Sequence, residues 1–312
     1  MSAEQPGEIV GISESAQKLR QFVKDAARAD DPVTLTGEPG TGKQLAARLI
    51  HEASARSQAP FLMIDCSLYY EHELQRELFG HSSARDEKSP RKGLLEFALR
   101  GTCYLSRVEE LSPMLQRSLL DFLRAGCFAR LGDGKEISSE ARLIVSSDKN
   151  LQGFVEAGLF DSELYAKLSC LKAHFLPLRE RKDDIPVMVE SLVQNFAAVH
   201  SRLDRTLFSP EVLEAFQAYP WPSNVDGLSK EVLRCLESGL PVIRCENLAM
   251  DIAGYWLGHR GDPEIRNAIE ELDALIREFK VLSRIEAGLG EMVPASWVSQ
   301  VKEADTDLLE DF

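Results

Sequence analysis

The sequence predicts an α/β fold in which helices cover both faces of a parallel sheet, with a smaller helical domain after the sheet. Short apolar segments rich in β-branched residues alternate with longer amphipathic segments up to about Pro177. This alternation is typical of parallel sheets with crossover helices. Beyond Pro177 only the helical periodicity remains. The 312 residues are enough to bury a substantial core.

The elements of the first part follow one another along the chain. A helix begins after Ser13, because Leu19 and Val23 then fall on one face with other apolar residues. The segment Asp-Asp-Pro at 30–32 ends this helix. The remaining predicted elements are strands at 33–36, 61–64, 102–105 and 143–145, a helix from the glycine-rich turn to about Ala53, and a helix at 114–125.

The second part is predicted to be all-helical, with helices at 184–200, 210–218 and 225–236 and a turn at 221–224. A further helix begins at Asp262, which precedes a proline at the first helical position. Its apolar residues recur in steps of four and three as far as Phe279, so it either packs against the second part or pairs with a partner helix. We therefore predict three parts, at 1–177, 178–258 and 259–312.

Composition excludes several classes of protein. The formal net charge of −14 disfavours a general nucleic-acid binder, because an acidic surface repels phosphate backbones. No segment approaches about 18 uninterrupted apolar residues, so no membrane span is expected. The N-terminal segment lacks the pattern of a secretion signal. The six cysteines lack CxxC or zinc-type spacing and are expected to be reduced thiols of a cytoplasmic protein.

The turn between the first strand and the next helix carries a phosphate-binding motif. Gly37-Glu38-Pro39-Gly40-Thr41-Gly42-Lys43 fits the pattern GxxxxGK. The glycines let backbone N–H groups turn towards phosphate oxygens, the helix N-terminus favours an anion, and the lysine reaches the terminal phosphates. Gln44 stands where a Ser or Thr hydroxyl usually binds magnesium, so we predict a nucleotide site at 37–44 that holds magnesium poorly. The alternative is a glycine turn in an unrelated strand–helix connection.

Longer segments are distinctive in combination: GEPGTGKQLAARLIHEASAR, PFLMIDCS, ELFGH, LQRSLLDFLRAGCFARLG, GLFDSELYAKL, FLPLRERKDDI and YPWPSNV. Over residues 8–258 the chain resembles the AAA+ domain of bacterial enhancer-binding proteins, the ATPases that activate sigma-54 RNA polymerase. The resemblance implies a P-loop α/β nucleotide-binding subdomain at 1–177, a helical lid at 178–258, assembly into a ring, and ATP or ADP as the ligand. It also implies that Val10 and Gly11 lie near the adenine.

The positions to which the resemblance assigns catalysis have changed. In the family, one strand ends in an Asp that holds magnesium and a Glu that polarises water, where this chain has Ser106 and Arg107. ATP hydrolysis needs charge stabilisation and a positioned water, which these two side chains do not supply. Glu109 or Glu110 is an alternative source of a carboxylate, but a shift of three residues moves either one off the strand end.

Arginines that the resemblance implies are also replaced. Ring arginines that reach a neighbour's ATP fall within 158–168, where Asp161 and Lys167 stand. An aspartate repels a phosphate, and lysine lacks the planar fork of arginine. The sensor arginine of the lid corresponds to Asp226, and the polar residue that senses hydrolysis falls within the segment SSDKN at 146–150. Together these changes predict an abandoned active site with no catalytic residue and no metal.

The contacts to polymerase and DNA are not expected either. The family's GAFTGA loop corresponds to Ser82–Lys92, which has no aromatic tip, so direct contact with sigma-54 is not expected. The tail from His259 to Phe312 holds 6 Lys or Arg against 13 Asp or Glu, too few bases for a DNA-reading helix-turn-helix. We expect instead a protein partner, such as an active enhancer-binding protein, in a homo- or hetero-oligomer.

Three functions follow from these observations. The first is a non-catalytic transcription regulator that acts through protein contacts and still binds ATP or ADP. The second is a working ATPase that activates sigma-54 RNA polymerase with an atypical site. The third is a binding module for another nucleotide, in which Arg107 supplies positive charge in place of magnesium. ATP turnover separates the first two, and a thermal-shift panel of nucleotides tests the third.

Overall fold

The computed structural model of the protein describes residues 8–82, 91–200 and 206–259, which fall into two compact units divided between residues 248 and 249. In the first unit the helices are α1 (Glu14–Arg28), α2 (Lys43–Glu52), α3 (Glu71–Phe79), α4 (Leu94–Phe97), α5 (Pro113–Ala125), α6 (Leu151–Glu156), α7 (Ser162–Leu168), α8 (Asp184–His200), α9 (Pro210–Ala218) and α10 (Asn224–Glu237). Its strands are β1 (Val33–Gly37), β2 (Phe61–Asp65), β3 (Thr102–Ser106), β4 (Cys127–Ala129), β5 (Glu136–Ser138), β6 (Arg142–Ser147), β7 (Leu171–Phe175), β8 (Leu207–Phe208) and β9 (Val242–Ile243). The second unit contains α11 (Met250–His259).

Five parallel strands form the central sheet in the order β2–β3–β6–β1–β7. Val33 of β1 lies opposite Ile144 of β6 on one side and Leu171 of β7 on the other. Thr102 of β3 lies opposite Phe61 of β2. Because all five strands run the same way, their carboxyl ends meet at one edge of the sheet. The predicted α/β fold with a parallel sheet is confirmed.

The sheet is buried on both faces, which explains why its strands are nearly continuous apolar runs. Successive residues of β6 enter different cores: Leu143 and Val145 pack with α5 and α7, whereas Ile144 packs with α1 and α2. In β3, Leu105 belongs to the first core and Tyr104 to the second. Side chains of a strand point alternately to the two faces, so a strand covered on both sides needs apolar residues at every position.

Helices α8, α9 and α10, which we call the lid helices, follow the sheet. The first two begin and end at the predicted residues. The prediction of an all-helical second domain is wrong in one respect, because β8 and β9 form a short parallel pair with Leu207 opposite Val242 and Phe208 opposite Ile243. This pairing ties the chain before α9 to the chain after α10, a contact between distant residues that local periodicity does not reveal.

Two predicted features fall outside the described residues. The first is the segment that corresponds to the family's GAFTGA loop, of which residues 83–90 are not described. The second is the predicted helix from Asp262 to Phe279. At the base of that loop His81 pairs with Arg91 in an antiparallel bridge. Within the described ranges, no helix has the length and apolar character needed to cross a membrane. All six cysteines are free thiols.

Candidate nucleotide-binding site

The predicted phosphate loop joins β1 to α2 at the carboxyl edge of the sheet. Gly40 and Gly42 have φ angles of 74° and 103°, which L side chains rarely adopt. A Cβ added at Gly42 would meet nothing within 4 Å, so the space beside this glycine is open. Among the described residues, no side chain caps the first turn of α2, and its backbone N–H groups can serve an anion. The loop therefore fits a phosphate group.

Lys43 is buried at the start of α2, and its ammonium group is surrounded by acceptors from this chain. Nζ donates to the carbonyl oxygens of Gly37 at 2.7 Å and Glu38 at 2.8 Å. It also lies 2.8 Å from Oδ1 of Asp148, a residue that follows β6. An ammonium group has three N–H donors, so each of them is used by a partner within the protein.

The N-terminus of α10 lies directly on the phosphate loop. The N–H groups of Val225 and Asp226 donate to the carbonyl oxygen of Gly40 at 2.9 and 3.3 Å. A Cβ added at Gly40 would overlap the carbonyl oxygen of Ser223. A glycine is therefore required here for two reasons, the positive φ angle and the close approach of the lid helix.

Polar side chains hold the lid helices to the loop. Asn224 is fully buried and has a φ angle of 51°. Its Nδ2 donates to the carbonyl of Pro39 at 2.9 Å, and its Oδ1 accepts from the N–H of Leu178 at 2.8 Å. Arg181, also buried, donates to the carbonyl of Thr41 at 3.1 Å. The loop and the start of the lid therefore share one hydrogen-bond network.

A charged pair extends this network. Both carboxylate oxygens of Glu38 accept from the guanidinium of Arg179, at 2.7 and 2.5 Å. A third hydrogen bond comes from Asn224 at 3.2 Å. The hydrogen bonds from Arg179 are the main reason why the pKa of Glu38 is lowered from 4.5 to about 2, a shift that burial opposes.

This shift predicts a stability change in acid. Because the pKa of Glu38 is lower in the folded state than in the unfolded chain, the interaction stabilises the fold above pH 4.5 and its contribution is lost as the pH falls towards 2. The side chain of Glu38 is 39% exposed, so solvent screening limits the contribution to about 1 kcal/mol. We expect the difference in Tm between the wild type and Glu38→Gln to narrow over this pH range. A difference that stays constant in acid would contradict this assignment.

The residues that the resemblance places near the adenine lie in an anchored segment before α1. Arg20 donates to the carbonyl oxygens on either side of Val10, at 2.9 and 2.8 Å. Asp184, fully buried at the first residue of α8, accepts from the backbone N–H groups at 12 and 13, at 2.6 and 2.7 Å, and from the hydroxyl of Ser13 at 2.7 Å. A Cβ added at Gly11 would lie 2.7 Å from Cγ of Asp184. Contact of this segment with adenine stays a prediction.

An ion pair lies at the strand end to which the resemblance assigns the catalytic carboxylates. Ser106 is the last residue of β3 and lies opposite Asp65, the last residue of β2. Arg107 has a left-handed φ of 55° and binds both oxygens of Asp65, through Nε at 2.9 Å and through Nη2. Burial acts to raise the pKa of Asp65, but hydrogen bonds from Arg107 and Ser67 outweigh it and the pKa is lowered. The side chain of Arg107 is thus bound to the carboxyl end of β2.

Glu109 and Glu110 lie in a short 3-10 helix after this strand end. Glu109 is buried, and its Oε1 accepts from the backbone N–H of Asp148 at 2.9 Å. Glu110 is ion-paired with Lys149 at 2.9 Å. The sequence does not predict Asp148 as a site residue, although it places the segment 146–150 at the end of a strand. Its contact with Lys43 depends on β6 lying next to β1 in the sheet.

The three positions to which the resemblance assigns arginines are all exposed. Asp226 lies in the first turn of α10, against the phosphate loop. Asp161 is the N-cap of α7, where its carboxylate accepts from the N–H groups of residues 163 and 164 at 2.9 and 2.8 Å. Lys167 lies in the last turn of the same helix. The structure brings only Asp226 to the loop.

A cavity of about 370 Å³ opens beside the start of the loop, between the ends of β1, β6 and β7. Its lining includes Gly37, Glu38, Asp148 and Arg179. The amide of Gln44 donates to the sulfur of Met63 at 3.5 Å. In the part of the chain that the structure describes, no three His, Cys, Asp or Glu side chains are grouped so that they could hold a metal ion.

A parallel sheet, a phosphate loop after β1 and lid helices packed on that loop define the AAA+ class of P-loop proteins. Comparison with known families agrees. The family described as Sigma-54 interaction domain matches residues 9–174, and the AAA+ ATPase lid domain matches residues 179–254. This chain belongs to the sigma-54 interaction domain family, as the sequence segments predicted.

Curated relatives include transcription regulators. The Nif-specific regulatory protein of Rhizobium leguminosarum bv. trifolii is 30% identical over 273 residues, which are 86% of this chain and 76% of the relative. The Nif-specific regulatory protein of Herbaspirillum seropedicae is 33% identical over 238 residues, or 76% of this chain. The match spans 43% of the Herbaspirillum protein, and 44% of the regulatory protein TyrR of Salmonella typhimurium, so this chain matches less than half the length of either.

Solved structures show the same fold. The crystal structure of NtrX from Brucella abortus in complex with ADP superposes with a TM-score of 0.74 at 27% identity, covering 94% of this chain and 69% of that one. The complex of NtrX with ATP superposes with a TM-score of 0.71 at 29% identity, covering 92% and 67%.

Proposed function

We propose that this chain is a transcription-regulatory AAA+ protein that binds an adenine nucleotide at residues 37–44, does not hydrolyse it, and acts through protein–protein contacts. The observation that carries the proposal is the contrast between the loop and the strand end next to it. The loop keeps its glycines and its lysine, whereas Ser106 and Arg107 occupy the carboxylate positions.

Retention of nucleotide binding is supported by the loop itself. Gly42 opens onto free space, the N-terminus of α2 has no side-chain cap, and the cavity at the ends of β1, β6 and β7 adjoins the loop. The NtrX structures with ADP and ATP support an adenine nucleotide as the ligand. When bound, the nucleotide would be held by the loop backbone and by Lys43.

Loss of hydrolysis is supported by what the strand-end residues do instead. Phosphoryl transfer depends on a metal held by a carboxylate and on a positioned nucleophilic water. Arg107 supplies no carboxylate and neutralises Asp65, and Oε1 of Glu109 is engaged by the backbone N–H of Asp148. The second candidate, an active sigma-54 ATPase with an atypical site, requires a carboxylate to be recruited from elsewhere.

Nucleotide titration and ATP turnover, measured on the same purified full chain, test the proposal. We expect ADP or ATP to bind the wild type, binding to be lost in Lys43→Ala, and ATP turnover to stay at background. Lys24→Ala, which removes an exposed lysine from α1, serves as the matched control. Unchanged affinity in Lys43→Ala would refute binding at the loop, and turnover by the wild type would favour the second candidate.

Magnesium dependence separates this site from that of an active relative. Gln44 and Ser106 leave a metal with few protein ligands, and Mg²⁺ binds protein sites through oxygen donors. We expect chelation of magnesium with EDTA to change nucleotide affinity less in this chain than in an active member of the family. Strict dependence on magnesium would contradict the expectation, and the same titration on an active relative provides the comparison.

The remaining parts of the proposal concern organisation. We propose a nucleotide-binding subdomain at 1–177, a helical lid at 178–258 and an acidic tail at 259–312, in a cytoplasmic homo- or hetero-oligomer. We expect a protein partner rather than DNA, because the tail holds 13 Asp or Glu against 6 Lys or Arg. Co-purification from the native host would identify both the partner and any bound nucleotide.

A further inference from the structure

Asp148 places a carboxylate on the lysine of the phosphate loop. It follows β6, the strand that lies between β1, which leads into the loop, and β3, which ends in Ser106. Its Oδ1 lies 2.8 Å from Nζ of Lys43, and the side chains of Asp148 and Lys43 are 21% and 7% exposed. A close ion pair with one partner buried in this way is screened far less by solvent than a surface pair.

The position of Asp148 is fixed by its neighbours. Its backbone N–H donates to the buried carboxylate of Glu109 at 2.9 Å. The hydroxyl of Ser147, fully buried, donates to the carbonyl of Lys149 at 2.8 Å and accepts from the N–H of Lys149 at 3.1 Å. These hydrogen bonds fix the backbone of the turn after β6, so the carboxylate of Asp148 is held in place beside Lys43.

Three further cations at this edge of the sheet are paired with carboxylates. Arg107 binds Asp65, Arg179 binds Glu38, and Lys149 binds Glu110. With Asp148 on Lys43, each of these four cations has an internal carboxylate. A terminal phosphate must therefore displace a carboxylate from Lys43 or accept a negative neighbour.

We propose that Asp148 takes the place of a terminal phosphate on Lys43 and makes this site selective for a nucleoside diphosphate over a triphosphate. In a phosphate loop the backbone N–H groups hold the α- and β-phosphates, while the lysine reaches the β- and γ-phosphates. The backbone part of the site is free of Asp148, so a diphosphate keeps most of its contacts. The γ-phosphate of a triphosphate brings additional negative charge next to the carboxylate of Asp148, which repels it. This inference rests on the proposed nucleotide binding at the loop.

The test compares ADP and ATP by isothermal titration of the full chain in EDTA. We expect the wild type to prefer ADP. Asp148→Asn frees a charge-assisted hydrogen bond on Lys43 and should tighten ATP binding about tenfold, with a smaller change for ADP. Asp25→Asn removes an equal charge from the exposed surface of α1, so the ratio of ATP to ADP affinity should stay at the wild-type value. Asp148→Ser is the second variant, for use if the asparagine variant does not fold.

Each outcome decides the inference. An unchanged affinity ratio in Asp148→Asn, with binding still lost in Lys43→Ala, overturns the selectivity and leaves the proposed function standing. Weaker ATP binding by Asp148→Asn in added Mg²⁺ shows that the carboxylate is a metal ligand and also overturns the selectivity. Absence of binding of either nucleotide to both the wild type and Asp148→Asn refutes the inference together with the proposed function. ATP binding that appears only in Asp148→Asn supports the inference.

Discussion

Placing carboxylates at the end of β3 with Ser106→Asp and Arg107→Glu is expected to leave ATP turnover at background. The γ-phosphate would still face Asp226 from the lid and, in a ring, Asp161 and Lys167 from a neighbouring copy. Arg107→Glu also removes the partner of Asp65 and sets a second carboxylate beside it, which raises the cost of ionising either one. Residues that act as one catalytic unit are strongly non-additive, so partial repair returns little activity.

Turnover should require the further changes Asp161→Arg, Lys167→Arg and Asp226→Arg, together with assembly into a ring. Asp161→Arg removes the N-cap of α7, which lowers the free energy of unfolding by about 1 kcal/mol. The Tm of every variant must therefore be measured beside its activity. The double variant is the control for the fivefold variant. Robust ATPase activity of the wild type, or of the double variant alone, would show that the site has been misinterpreted.

Asp184→Ala is expected to destabilise the fold more than any other single change discussed above. Three donors point at this fully buried carboxylate: two backbone N–H groups, at 12 and 13, and the hydroxyl of Ser13. Alanine leaves these three donors without their acceptor, which costs about 3 kcal/mol in the free energy of unfolding. A lower denaturation midpoint in urea, together with a lower Tm, is the expected result.

Asp25 provides the control for this variant, because it is an exposed aspartate in the interior of α1. Asp25→Ala should leave the denaturation midpoint nearly unchanged, since exposed substitutions away from special features have small effects. Asp184→Asn keeps one acceptor oxygen and should fall between the wild type and the alanine variant. Equal midpoints for the two alanine variants would show that the segment before α1 is held by other contacts.

Most of the architecture was predictable because its elements carry local periodicity. The lid helices α8 and α9 begin and end where the apolar pattern places them. Strand β7 was not predicted, since its five residues include Lys172 and His174 and only Phe175 is buried. It lies at the edge of the sheet beside β1, so one strand partner stabilises it, and that partner is distant in sequence.

In the candidate site, too, one part was predictable from local sequence and another was not. The loop at 37–43 was predictable because one continuous motif specifies its glycines and its lysine. The pairing of Lys43 with Asp148 joins residues more than a hundred positions apart, and it depends on the strand order of the sheet. The contact between Arg107 and Asp65 depends on the register of β2 against β3. Side-chain partners of this kind follow from topology, which a motif does not contain.

The two inner glycines of the phosphate loop are constrained by different features of the structure. Selection for packing of α10 is enough to keep Gly40, because any side chain there would collide with the backbone at Ser223. Gly42 has open space beside it, so its identity depends on the left-handed backbone and on access for a ligand. In a sequence of this fold that does not bind nucleotide, asparagine, which tolerates positive φ, would fit at position 42, whereas position 40 would still require glycine. A lineage can therefore keep part of a nucleotide signature for reasons of architecture alone.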